Sequence, residues 1–122
     1  MLVTHTILEA AYTFLLTCPP FRGWKLPLPD QVEFAVTRHR DREGDHSVYK
    51  HTNEHILRVS SYHVKTTDVL LLAVAHEMLH AYQDGIARTG SRKIDHNSEF
   101  KRLAARVCSA HGWDVNKFVG PA

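Results

Sequence analysis

The chain has 122 residues, 43% of them hydrophobic, and a net charge of +2 with histidine neutral. That length allows one domain with one core of modest size, and the composition is that of an ordinary globular protein. The charge is too small to imply a nucleic-acid partner by itself, and no stretch approaches the length of a membrane span.

The first predicted element is a helix within residues 1–17. Thr6-x-x-Glu9 has the form of a capping box. Ile7, Leu8, Ala11, Tyr12, Phe14 and Leu15 make a broad apolar face, and Cys18-Pro19-Pro20 ends it. The segment lacks a basic start, and His5 and Glu9 interrupt it, so it reads as scaffold rather than as a signal peptide. Residues 21–30 form a linker broken by Gly23, Pro27 and Pro29, with Trp24 packing over an open edge of the core. Cys18 and Cys108 lie far apart without a C-x-x-C, which suggests a reduced, cytoplasmic protein.

Residues 31–38 alternate, with Val32, Phe34 and Val36 on one face, as a half-buried strand does. Residues 38–45 (RHRDREGD) read as a charged, solvated hairpin tip. Residues 46–51 and 54–61 give two further strands, joined by a tight turn near Thr52-Asn53. His39, His46, His51, His55 and His63 read as polar strand and loop residues. Positions such as His51 and His55 sharing a face leave room for a weak second metal site.

Thr66-Thr67-Asp68 caps the longest predicted helix, and Gly85 suits its C-terminal turn. Leu70 to Ala75 are apolar all round, so this helix belongs in the interior. It carries His76-Glu77-Met78-Leu79-His80, the H-E-x-x-H pattern. At i and i+4 the two imidazoles project from one helix face and can share a zinc ion. Glu77 stands about 100° round the same turn, placed to accept a proton from water and return it to a leaving amine. Two histidines and a carboxylate in so apolar a helix are costly unless paired or ligated.

A third ligand must come from further on. Ile86 stands where a metzincin would have its third histidine, so that arrangement is excluded. His96 opens another predicted helix over residues 97–111, and Glu99 follows three residues later on the same face. Spacing leaves both open. Asp95 reads either as a group supporting the ligand or as the acid at the helix start. Phe100, Leu103, Ala104, Val107 and Cys108 recur at helical spacing, and residues 113–122 read as a short tail packing through Trp113 and Phe118.

HEMLHAYQ, a polar loop, then HNSEF together resemble the SprT/Spartan-like metalloproteases, whose pattern is H-E-x-x-H-A followed by H-G-x-x-F opening a helix. Ala81, Tyr82 and Phe100 match it; Asn97 stands where the family has Gly. The resemblance covers residues 54–118. It implies His76, His80 and His96 as ligands of a zinc ion (Zn2+), Glu77 as catalytic base, and hydrolysis of protein substrates. It extends to proteins associated with or crosslinked to DNA, which makes DNA a partner to test. Basic Arg88, Arg92, Lys93, Lys101, Arg102 and Arg106 fit either a solvated face or such a partner.

The expected architecture is α+β: a minimal zincin-like domain over residues 1–122, without recruitment modules. It has an N-terminal helix, a three-stranded antiparallel sheet, the active-site helix and a third-ligand helix. In such a domain the strand containing Tyr49, or its neighbour, pairs with extended substrate. Tyr49, Tyr62 and His111 are candidate oxyanion donors, and Tyr82 is structural. Two other classes fit the same residues: a regulatory gluzincin that uses Glu99 to cut a repressor or antitoxin, and a non-catalytic module stabilised by zinc.

Overall fold

The computed structural model describes residues 1–49, 51–86 and 98–120. Helix α1 spans His5–Leu16. Its cap is Thr4, whose Oγ1 accepts from the Ile7 N–H at 3.2 Å. The helix therefore starts ahead of Thr6, and the expected capping box does not form. Leu8, Ala11, Tyr12 and Leu15 are buried, a narrow stripe at i, i+3, i+4 and i+7. Ile7 and Phe14, expected inside, are 39% and 54% exposed. The Tyr12 hydroxyl donates to the Pro27 carbonyl at 2.6 Å and ties the linker to the helix. Trp24 stacks on Tyr82 at 4.2 Å, which gives both rings a packing role.

A single turn of 3-10 helix, Pro29–Gln31, leads into strand β1, Val32–Thr37. Strand β2 is Gly44–Tyr49 and β3 is Glu54–Ser60. The sheet order is β1-β3-β2. β2 and β3 form the expected hairpin, with Gly44 opposite Val59 and Tyr49 opposite Glu54. Asn53 takes φ 63° in its turn, a left-handed conformation that asparagine tolerates.

The sheet is mixed, not antiparallel. β1 runs parallel to β3, from Val32 opposite His55 to Thr37 opposite Ser60. The charged stretch is not a hairpin tip either: it crosses the end of β3 and delivers β2 to the far side. Ser60 straps it down. The Ser60 N–H donates to the Glu43 carbonyl at 2.7 Å, and its hydroxyl donates to the His39 carbonyl at 2.6 Å. Flanked on both edges, β3 buries Ile56, Leu57, Val59 and Ser60 rather than alternating.

Helix α2, Thr67–Ile86, is the centre of the molecule. Thr66 Oγ1 accepts from the Val69 N–H at 3.4 Å, and Asp68 sits in the first turn. Leu70, Ala73, Val74, Ala75, Met78, Leu79 and Ala81 are buried around its circumference. The helix runs to Ile86, with Gly85 in its last turn as expected. No helix is long and apolar enough to cross a membrane among the described residues.

Helix α3, Ser98–His111, buries Phe100, Leu103, Ala104, Val107 and Cys108, the face expected from spacing. Gly112 ends it at φ 74°. The segment beyond, read as a tail, contains helix α4, Val115–Val119. Asp114 caps α4 by accepting from the Asn116 N–H at 2.9 Å, and Phe118 is buried. Cys18 and Cys108 are both free thiols.

Candidate metal centre

α2 puts His76 and His80 on one face, one turn apart. Their Nε2 atoms are 3.2 Å apart. One tetrahedral ion bound to both, at about 2.0–2.1 Å each, needs a separation of about 3.3 Å. His76 Nδ1 lies 2.7 Å from the Phe118 carbonyl. That carbonyl can only accept, so Nδ1 carries the proton and Nε2 is left with its lone pair. Phe100 stacks on His80 at 4.6 Å and 25°, and lies 5.2 Å from the His76 ring. Phe118 closes the other side of His76 at 5.6 Å. The two imidazoles are thus held between aromatic walls with nitrogens converging, and the pair fits a zinc ion.

Glu77 occupies the same turn and is 5% exposed. Its carboxyl is pushed up to about 8, chiefly by burial, and further by the negative charges of Asp45 and Glu43. Gly44 allows β2 to pass against it. A Cβ at Gly44 would lie 3.4 Å from Glu77 Oε2 and 2.6 Å from the Arg58 carbonyl oxygen. Asp45 is paired with Arg58 and, at 3.3 Å, with Arg42.

His76, Glu77 and His80 open into a cleft of about 1440 Å³. One wall is the crossover and the start of β2, from Arg40 to His46; the other is Trp113 to Gly120, with Val69 and Leu72 from α2. β2 is an edge strand, and it is the strand that borders this cleft.

Of the predicted site residues, His76, Glu77 and His80 are brought together. His96 and Asp95 lie outside the described residues. Glu99 bonds to Arg102 at 2.8 Å and does not line the cleft. Among the described residues Tyr49, Tyr62 and His111 do not line it, so none of the three proposed oxyanion donors is placed for that role there; Arg40, Arg42 and Lys117 do line it, with the imidazoles of His46 and His63. His51 sits exposed in the hairpin turn, outside both strands. Instead His46 approaches His55, Nε2 to Nδ1, at 2.9 Å.

Sequence reasoning missed the Phe118 carbonyl, Gly44 and the His46–Asp84 contact of 3.0 Å. A backbone acceptor leaves no trace in residue type. Asp84 did leave one, since it follows His80 at the i+4 interval that relates His80 to His76. Comparison with protein-family models and with curated proteins gives no match.

Proposed function

We propose that this chain is a zinc-dependent metalloendopeptidase, similar to the SprT/Spartan-like enzymes. The observation that carries the reading is the pair of Nε2 atoms 3.2 Å apart, with the buried Glu77 carboxyl in the next position of the same turn. His76 and His80 would hold the ion together with His96. Zinc, when bound, supplies a Lewis acid and lowers the pKa of water to about 7.

The chain's own groups do the rest. The Phe118 carbonyl orients His76, and Phe100 fixes the plane of His80. Glu77 accepts a proton from the attacking water and returns it to the departing amine. A cation beside it favours the charged carboxylate, the form that accepts the proton. An extended substrate would lie along the open edge of β2, using main-chain hydrogen bonds. The sequence resemblance adds DNA-associated proteins as a substrate class; cleavage stimulated by DNA and lost at high salt would support it.

The test is zinc content of the purified protein beside His96→Ala, with cleavage of an unfolded protein substrate beside Glu77→Gln. About one zinc per chain, lost in His96→Ala, and cleavage lost in Glu77→Gln would support the proposal. Zinc kept in His96→Ala but lost in Glu99→Ala would favour the gluzincin class. Zinc bound with no Glu77-dependent cleavage would leave a non-catalytic module.

A further inference from the structure

The polar face of α2 extends beyond the two motif histidines. Asp84 lies one further turn along from His80. Its Oδ2 is 3.0 Å from Nδ1 of His46, whose side chain is only 2% exposed. The other nitrogen of His46, Nε2, is 2.9 Å from Nδ1 of His55. His46 stands opposite Leu57 and His55 opposite Val48, so the two rings are diagonal neighbours on one face of the hairpin. They lie 5.1 Å apart at 30°.

The carboxylate decides the chemistry of His46. With the Asp84 carboxylate 3.0 Å away, Nδ1 carries the proton and Nε2 a lone pair, which accepts from His55 Nδ1–H; a cation replaces that hydrogen when His55 carries its proton on Nε2 instead. A carboxylate behind an imidazole whose far nitrogen is a lone pair is the common arrangement of metal-bound histidine. The spacing is informative too. Two nitrogens 2.9 Å apart, each at about 2.0–2.1 Å from one ion, subtend about 90° there. That is the angle of neighbouring ligands in square or octahedral coordination, whereas the His76–His80 spacing suits a tetrahedron. A small groove bordered by His39, Asp45 and Ser47, and by Arg42 and Arg58, which are paired with Asp45, reaches His46 from the surface.

We propose that His46 and His55, with Asp84 orienting His46, form a second divalent-cation site that takes a metal of tetragonal or octahedral preference, such as nickel or copper. The site joins β2 and β3, and both His46 and Asp84 also border the cleft that contains Glu77. Among the described residues no group of three His, Cys, Asp or Glu ligands is assembled there.

Titration of the zinc-loaded protein with Ni2+ by calorimetry tests this, with zinc content measured in parallel. One additional equivalent of nickel should bind. His46→Gln and His55→Gln should each weaken it at least tenfold, and Asp84→Asn about tenfold. His51→Gln, an exposed histidine of the same hairpin, should leave it unchanged, and all four variants should keep the zinc content of the wild type. If the buried His46 variant fails to fold by circular dichroism, the more accessible His55→Gln carries the test. Absence of an additional nickel equivalent, or binding that survives His55→Gln, would overturn the proposal and leave the pair as a hydrogen bond only.

Discussion

Replacing Glu77 with Gln should raise the stability of the metal-free protein, and only above a definite pH. The carboxyl is 5% exposed and pushed from 4.5 up to about 8. A raised carboxyl pKa means that the folded state holds a proton that the unfolded chain releases. Between pH 4.5 and about 8 the folded form therefore binds more protons, and its stability falls as pH rises through that window. A tenfold difference in proton affinity between the folded and unfolded carboxyl corresponds to about 1.4 kcal/mol, so the penalty fully developed above pH 8 is a few kcal/mol. Gln keeps the shape and cannot ionise. For a chain of this size a few kcal/mol corresponds to about 10 °C in melting temperature. Thermal melts in chelator from pH 5 to 9 should show the two proteins converging at the acid end and Glu77→Gln melting higher at the alkaline end. Zinc should shrink that difference, because a cation beside the carboxylate favours its charged form. Parallel wild-type and variant curves across the whole range would refute the argument.

Gly44→Val should be damaging twice over, since its Cβ would press on the Arg58 carbonyl oxygen at 2.6 Å and its branches on Glu77; a loss of about 1–3 kcal/mol in urea unfolding is expected, with cleavage abolished. Phe100→Ala removes a fully buried ring and the stack on His80; it should cost about 3–5 kcal/mol and weaken zinc retention in a chelator-competition assay. Thr4→Ala removes the α1 cap, which is not among the residues lining the cleft, and should cost about 1 kcal/mol with zinc content unchanged. Asp114→Ala loosens α4, which supplies the carbonyl that orients His76; zinc affinity should fall by about tenfold, measured by competition with a chromogenic chelator.

The chain dictates its local elements by periodicity and punctuation. The apolar run into HEMLH specified a buried helix with His76 and His80 on one face. The i, i+3, i+4 recurrence from Phe100 to Cys108 specified α3, and Asn53 marked the hairpin turn. Those features depend on neighbours along the chain, so they are legible in one dimension. Which strand β1 joins is not. Val32, Phe34 and Val36 alternate equally well in an antiparallel or a parallel pair, and only the strapping of residues 38–43 across Ser60 selects the mixed order. The same crossover makes the charged stretch, exposed to solvent as expected, one wall of the cleft. Tertiary contact alone decided the surroundings of the site: a backbone carbonyl at Phe118, the hydrogen atom of Gly44 facing Glu77, and Asp84 meeting His46 from a different element. Residue identity records which groups a chain can offer a metal or a substrate. Their orientation, desolvation and charge state come from partners remote in sequence, and those partners are fixed only when the chain closes on itself.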